Sequence, residues 1–200
     1  MLLPCKKDIA KHLGLSVDEV KIGFASTIGD LFHAGHIAHL REAKTYCDFL
    51  IVGIVDDPTK DRSWKNKPIQ SLFERYLQIA SCTYADCVIP LSGEQDLKDS
   101  LLLIRPDVRF VGEEYKGTQF TGSELPDIEI KYLPRDHSFS STDLRTRVYR
   151  AEVEKYGSPC CNPEDHVYTC KPQDKNEAVI FAEDLYKGED PYKDIGKQDL

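Results

Sequence analysis

The chain has 200 residues, of which 40% are hydrophobic and 30% are charged, and its formal net charge is −8. This length suits one domain with or without a tail, and this composition excludes a collagen-like or mostly disordered chain. The acidic charge disfavours a nucleic-acid scaffold that works by neutralising phosphates, and no apolar run is long enough to span a bilayer. The first residues lack the apolar core of a secretory signal, so we expect a cytoplasmic protein.

Strand-like and helix-like stretches alternate along most of the chain. The first 20 residues are expected to hold a short helix and a turn capped by Ser16 and Glu19. The predicted strands are 21–27, 48–57, 86–91, 107–112 and 128–134, and the predicted helices are 36–47, 70–84, 95–104 and 141–154. This alternation predicts an α/β fold, a Rossmann-like parallel sheet with helices on both faces. Ligands of such sheets bind at the carboxyl ends of the strands.

The last part of the chain has a different composition. Residues 156–200 carry ten acidic side chains, five lysines and four prolines, which is typical of an irregular acidic extension. Within it, only 177–186 has a pattern that could dock as a strand or a helix. The one cysteine cluster comprises Cys160, Cys161 and Cys170, with His166 between them. Adjacent cysteines fit the spacing of a zinc site poorly, so free thiols or a disulfide are the preferred interpretations.

The clearest chemical signal is the segment GDLFHAGHIAHL at 29–40. His33 and His36 flank Gly35 at the predicted junction of the first strand and the next helix, so both imidazoles can face the pocket above the sheet. Gly35 keeps side-chain bulk away from a ligand. The helix that follows directs its free N–H groups and positive dipole end at the same place, which favours a phosphate. A zinc cluster that includes His39, or purely structural histidines, are the alternatives.

Further segments agree with phosphate chemistry. Lys65 and Lys67 lie in a loop after the second strand, where an ammonium can reach phosphate oxygens, although such loops are more often only solvated. Arg135 follows a strand, and the next predicted helix opens with the hydroxyl residues Ser140, Ser141 and Thr142. Hydroxyl and N–H groups at a helix start bind anions, and a simple helix cap is the alternative.

These segments, in this order, resemble the HxGH nucleotidyltransferases, and most of all the cytidylyltransferases of glycerol 3-phosphate, phosphocholine and phosphoethanolamine. The resemblance rests on GDLFHAGH, the lysine loop, FERY, RPDVRFVGEEYKG and LPRDHSFSST. It implies a nucleotidyltransferase domain at 21–155, between an N-terminal helical segment at 1–20 and the extension at 156–200.

The resemblance also implies residue roles. His33, His36 and Lys65 would be catalytic, with the histidines contacting the triphosphate and Lys65 binding the reacting phosphates. The implied nucleotide-binding residues are Ile28, Gly29, Asp30, Gly35, Arg75, Arg135, Phe139, Ser140, Ser141 and Thr142. Lys67 and Arg145 would contact the acceptor substrate. No metal ligand is implied in the protein, and Mg²⁺ would be bound to the nucleotide.

The implied reaction moves CMP from CTP to a small phosphorylated polyol or amino alcohol, such as glycerol 3-phosphate, and releases pyrophosphate. The resemblance further implies a homodimer. This chain departs from the family pattern at TIGD, residues 27–30, and at Asp136 and Ser138, where the family has threonine and glycine; these departures leave the acceptor open. An adenylyltransferase that uses ATP on a sugar phosphate is an alternative, and Arg135 favours the cytidylyl interpretation. A non-catalytic nucleotide-binding protein is another.

Overall fold

A five-stranded parallel sheet forms the centre of the protein. The computed structural model describes residues 5–156. Its strands are β1 (Ile22–Thr27), β2 (Phe49–Val55), β3 (Cys87–Leu91), β4 (Val108–Gly112) and β5 (Glu129–Leu133). They lie in the order β3-β2-β1-β4-β5, and every neighbouring pair is parallel. All four crossovers are therefore long enough to contain helices, as parallel pairing requires.

Helices cover both faces of this sheet. They are α1 (Lys6–Leu13), α2 (Ala34–Lys44), α3 (Leu72–Ala80), α4 (Glu94–Ile104) and α5 (Ser141–Tyr156). One core cluster joins α1 and α4 to Phe24 and its neighbours, and a second joins α2 and α3 to Ala25 and Phe110. Successive strand residues point to opposite faces, so Phe24 and Ala25 supply different cores. The predicted Rossmann-like fold with helices on both faces is confirmed.

The chain divides into two units, residues 1–149 and 150–200, and the site described below belongs to the first. The predicted acidic extension, its cysteine cluster and the segment 177–186 lie outside the described residues. The predicted domain boundaries therefore stay predictions. Between residues 5 and 156, no helix has the length and apolarity that a membrane crossing requires.

Helices α2 and α3 each start two residues away from the predicted first residue, because side chains cap them. Helix α2 begins two residues earlier than predicted, because His33 acts as its N-cap. Helix α3 begins after Ser71, whose hydroxyl accepts a hydrogen bond from the Glu74 N–H, while the Glu74 carboxylate accepts one from the Ser71 N–H. Such reciprocal capping satisfies two N–H groups that have no partner within the helix.

The side chain of Arg75 fixes the ends of two strands. It projects from α3 into the protein and is only 1% exposed. Its Nη1 donates to the carbonyls of Ile28 and Val55 at 2.8 and 2.7 Å. Its Nη2 donates to the Asp56 carbonyl at 2.7 Å, and its Nε to that of Gln70 at 3.1 Å. A guanidinium with four carbonyl partners can stay buried, because its hydrogen-bonding groups are satisfied.

We expect Arg75→Met to destabilise the protein by about 3 kcal/mol, because it leaves three carbonyls at strand ends and one before α3 without their donor. Arg41→Met, which removes an exposed guanidinium from α2, is the matched control and should change the free energy of unfolding by less than about 0.5 kcal/mol. Urea unfolding of both variants measures the difference. Equal stability of the two variants would show that these carbonyl contacts are unimportant.

Candidate active site

A cleft of about 330 Å³ opens along the carboxyl edge of the sheet. Nine of the residues predicted for the site line it: Ile28, His33, Gly35, His36, Lys65, Arg135, Phe139, Ser140 and Ser141. They come from the loop after β1, the start of α2, the loop after β2 and the segment between β5 and α5. The structure therefore brings together residues that are up to 113 positions apart in the sequence, from Ile28 to Ser141.

His33 and His36 cap helix α2 with their own imidazoles. The Nδ1 atom of His33 accepts a hydrogen bond from the Gly35 N–H at 3.1 Å. The Nδ1 atom of His36 accepts one from the His33 N–H at 3.3 Å. The two rings lie side by side, with centroids 4.0 Å apart. The helix start thus orients both histidines through the same hydrogen bonds that satisfy its free N–H groups.

These hydrogen bonds determine which ring nitrogen carries the proton. Because each Nδ1 accepts from a backbone N–H, the proton of each neutral ring is assigned to Nε2. The Nε2 atom of His33 lies 3.3 Å from the Ser141 Oγ, which donates to the Asp30 carbonyl at 3.0 Å. His33 is therefore a donor to Ser141, and this chain of contacts links the start of α2 to the start of α5.

Burial keeps both histidines neutral. It lowers the pKa of His36 to about 3, with further lowering by the neighbouring His33 and His39 and an opposing effect of Asp30. Burial also lowers the pKa of His33, assisted by the positive charge of Arg135 and by His137. At neutral pH the cleft thus offers two uncharged imidazoles, each with one N–H donor at Nε2.

Gly35 is required by close packing. A Cβ atom at this position would lie 2.9 Å from Cε1 of His137 and 2.9 Å from Cε1 of His33. Any other residue would displace these rings. Gly29 is required for a different reason, because its φ of +70° is rarely adopted by other residues and its added Cβ would lie 2.6 Å from Ile79 Cδ1.

The structure places Asp30, Arg75 and Arg145 behind the cleft rather than in its lining. Asp30 is 4% exposed and accepts from the N–H groups of Ile69 and Gln70, both at 3.0 Å. Arg145 forms an ion pair with Asp30. The predicted contacts of Arg75 and Asp30 with nucleotide, and of Arg145 with acceptor, stay predictions; in this structure all three side chains have partners within the protein. Arg75 and Asp30 fix the loops that carry the site, because their polar groups bind backbone. Arg145 joins Asp30 to the Lys67 carbonyl, although its buried Nε has no hydrogen-bond partner among the described residues.

Lys65 and Lys67 have different surroundings. Lys65 is half-buried and lines the cleft. Lys67 is exposed and outside the cleft lining, and its carbonyl accepts from Arg145 Nη2 at 3.3 Å. At the start of α5, Thr142 is exposed and likewise outside the lining, whereas Arg135 lines the cleft and donates to the Phe139 carbonyl at 3.0 Å.

Several cleft residues were not found from the sequence. They are Arg62, His39, Glu94, Arg109, Glu114, Tyr115, Phe120 and His137. His39 was considered only as an alternative zinc ligand, yet burial lowers its pKa and it faces the cleft one turn after His36. The signal for His39 was its spacing, since residues three apart share a helix face. Among the described residues, no three His, Cys, Asp or Glu side chains come together as a metal site would require.

A family model described as Cytidylyltransferase-like matches residues 29–147 of this chain. The chain is 30% identical over 133 residues to the Bifunctional protein HldE of Aliarcobacter butzleri, a match that covers 66% of this chain and 28% of that protein. It is 43% identical over 76 residues to the Ethanolamine-phosphate cytidylyltransferase of Dictyostelium discoideum, covering 36% of this chain and 21% of that enzyme. The chain thus spans less than a third of these relatives. The family match confirms the predicted nucleotidyltransferase superfamily.

Two solved structures are similar at 20% sequence identity. The lipopolysaccharide core biosynthesis protein from Thermoplasma volcanium superposes with a TM-score of 0.42, covering 66% of this chain and 88% of that one. The pantoate-beta-alanine ligase from Francisella tularensis has a TM-score of 0.46, covering 76% of this chain and 78% of that one.

The depressed histidine pKa values predict a loss of stability in acid. Because the pKa of His36 is about 3 in the folded protein against 6.5 ordinarily, the unfolded chain takes up its proton first as the pH falls through that window. Stability is therefore complete above pH 6.5 and is lost progressively below it. We expect His36 to account for about 1 kcal/mol of the loss between pH 7.5 and 5.5.

His36→Gln tests this, because glutamine at this helix position can retain the capping bond but does not titrate. Urea unfolding at both pH values should show a smaller pH dependence for His36→Gln than for the wild type. His12→Gln, which removes an exposed imidazole from α1, is the control and should keep the wild-type dependence. Identical dependence in His36→Gln and the wild type would contradict a buried neutral His36.

Proposed function

Because the chain belongs to the cytidylyltransferase-like family, we propose that it is a nucleotidyltransferase that moves CMP from CTP onto a small phosphorylated acceptor and releases pyrophosphate. The observation that carries the proposal is the pair of neutral imidazoles, His33 and His36, at the start of α2 in a cleft that also contains the start of α5. Two helix N-termini and two N–H donors facing one cleft favour a polyphosphate ligand.

The reaction is a displacement at the α-phosphorus of CTP. An oxygen of the acceptor's phosphate forms a bond to this phosphorus, the bond from it to the bridging oxygen of the β-phosphate breaks, and pyrophosphate leaves with that electron pair. Positioning and charge stabilisation account for most catalysis of such transfers. The protein therefore has to supply hydrogen-bond donors and positive charge around the α-phosphate.

The histidines supply the donors. Their Nε2–H groups bind non-bridging oxygens of the α-phosphate as negative charge builds up there. Neutral rings suit this role because they donate a hydrogen bond without moving a proton. When the triphosphate binds, His33 exchanges its contact with Ser141 for a phosphate oxygen, and the Ser141 hydroxyl can turn from the Asp30 carbonyl to become a further donor.

The start of α5 and the basic residues bind the rest of the triphosphate. Ser140 and Ser141 present hydroxyl and N–H groups at the positive end of α5, and Arg135 adds a guanidinium beside them. Lys65 neutralises the reacting phosphates from the opposite loop. Mg²⁺ would arrive with the triphosphate as part of the substrate, bound by phosphate oxygens.

Pyrophosphate release tests the proposal. The full chain is incubated with CTP or ATP and a series of phosphorylated acceptors, with Mg²⁺ present. We expect release that requires an acceptor, with kcat/KM for CTP at least about tenfold above that for ATP. His36→Ala should lower kcat by about 10²–10³ because it removes one donor to the transition state.

Preference for ATP would instead assign the chain to adenylyl transfer, the alternative nucleotide chemistry. Tight nucleotide binding without pyrophosphate release from either nucleotide would indicate a binding protein and would contradict catalysis.

The two loop lysines offer a matched comparison. Lys65→Met should lower kcat by about 10²-fold or more, because a half-buried ammonium at the phosphates is replaced by a neutral chain of similar length. Lys67→Met should be milder, since this exposed side chain is not part of the cleft lining. Both variants should unfold within about 0.5 kcal/mol of the wild type. A larger effect at Lys67 than at Lys65 would show that the loop lysines have been assigned the wrong way round.

A further inference from the structure

The cleft has a second half, on the opposite face of the sheet from α2, that the proposed nucleotide site does not use. It is built around Arg109 and lined by Arg62, Glu94, Tyr115 and Phe120, and we call it the Arg109 half. Arg109 is paired in register with Phe24, which belongs to the core under α1 and α4. Register partners of parallel strands point to the same face, so Arg109 lies on the α4 side.

The Arg109 half opens into a larger groove of about 1010 Å³. Cleft and groove share Arg62, Lys65, Glu94, Tyr115 and Phe120. We call the other part of the cleft, around His33, His36 and Ser141, the nucleotide half. Lys65, the lysine assigned above to the reacting phosphates, therefore lies between the nucleotide half and this groove. Because the proposed nucleotide site uses the residues around His33 and His36, this half and the groove are the space left for an acceptor.

Arg109 is buried without full hydrogen bonding. It is the second residue of β4, and it is 3% exposed. Its Nη1 donates to the Thr121 carbonyl, but its Nε has no hydrogen-bond partner within residues 5–156. A buried guanidinium with an unused donor is costly unless a ligand satisfies it. Burial lowers its pKa to about 10, so it remains positively charged at neutral pH.

The neighbouring carboxylates are already engaged by other residues. Glu94 is 2.6 Å from Arg62 Nη2 and also accepts from the Thr121 hydroxyl. Glu124 is 2.8 Å from Lys98 Nζ. The group of Arg62, Glu94 and Arg109 therefore carries one uncompensated positive charge, and its unused hydrogen-bonding capacity is on a donor.

The aromatic surface here does not favour a cationic ligand either. The guanidinium carbon of Arg109 lies 5.2 Å from the centroid of the Phe120 ring, so Arg109 itself occupies a face of that ring. Tyr115 packs edge-on against Phe120, with centroids 5.7 Å apart. An ammonium in this half would lie beside two guanidinium groups, and the two carboxylates that act on Arg109, Glu94 and Glu124, are already paired with other cations.

We propose that Arg109 binds an oxyanion of the acceptor, and that the acceptor is a phosphorylated hydroxy acid or polyol rather than a phosphorylated amino alcohol. The inference rests on the proposed function, since it identifies the acceptor of that reaction. The proposed acceptor differs from ethanolamine phosphate, the substrate in the name of the Dictyostelium discoideum relative. The oxyanion is either a carboxylate at the far end of the acceptor or its reacting phosphate.

Three acceptors of similar size distinguish these sources: 3-phosphoglycerate, glycerol 3-phosphate and phosphoethanolamine. They present a carboxylate, a hydroxyl and an ammonium beyond the phosphate. For the wild type with CTP, we expect kcat/KM for phosphoethanolamine to be at least about tenfold below the best of the other two. Arg109→Met, which retains a side chain of similar length without charge, should lower kcat/KM by at least about tenfold. Arg41→Met is the control and should leave all three values unchanged.

The pattern of losses identifies the oxyanion. A loss confined to 3-phosphoglycerate assigns Arg109 to the carboxylate, and an equal loss for all three acceptors assigns it to the reacting phosphate. No loss with any acceptor, or phosphoethanolamine as the best acceptor of the wild type, overturns the proposal. Arg109→Lys, which retains charge but not the guanidinium, and the thermal unfolding midpoint of each variant distinguish lost binding from lost folding.

Binding without nucleotide separates this inference from the proposed reaction. Isothermal titration of 3-phosphoglycerate and of inorganic phosphate into the wild type should show binding that Arg109→Met weakens at least about tenfold. If neither CTP nor ATP yields pyrophosphate but this binding difference is present, the proposed reaction fails and the oxyanion site stands. If pyrophosphate is released and Arg109→Met binds both anions like the wild type, the oxyanion site fails alone.

Discussion

The guanidinium of Arg75 is the contact on which the carboxyl edge of the sheet depends. It donates to carbonyls after β1, at the end of β2 and just before α3, so it joins the ends of two strands to the segment that precedes α3. Asp30 does the complementary task, since its carboxylate accepts from the N–H groups of Ile69 and Gln70. The buried cation Arg75 thus binds backbone carbonyls, and the buried anion Asp30 binds backbone N–H groups. Together they fix the loops from which both halves of the cleft are built.

Hydrogen bonds to the backbone also orient His33 and His36. Their Nδ1 atoms are used by the first turn of α2, so only Nε2–H remains for a ligand. Burial then keeps the rings uncharged, because a charged imidazole would lose its hydration and would lie beside Arg135. The orientation and tautomer of His33 and His36 therefore follow from their position at a helix start, and their charge state follows from their burial.

The fold was predictable because its signals are local and periodic. Apolar runs such as 48–57 and the alternation of elements are sufficient to predict a parallel sheet, and the residues that line the nucleotide half follow strand ends. The buried surroundings of Arg75 and Arg145 could not be predicted, because a sequence shows a positive charge but not whether carbonyls and carboxylates already surround it. Helix α2 was predicted to begin late because histidine is rarely considered as a helix cap. Arg109 was missed since a charge within an apolar strand gives no indication of the cavity beside it.

The two halves of the cleft differ in their electrostatics: one presents the neutral donors His33 and His36, and the other presents the buried cation Arg109. In the proposed reaction the nucleotide would bring its own negative charge and Mg²⁺, and the neutral donors at His33 and His36 would bind it beside the positive charges of Lys65 and Arg135. The proposed acceptor would bring fewer charges and would have to be held against the repulsion of the triphosphate. A fixed positive charge such as that of Arg109, buried at 3% exposure, interacts strongly with a ligand because little water screens it. Placing the neutral donors on one face of the sheet and the buried cation on the other keeps these two requirements from interfering.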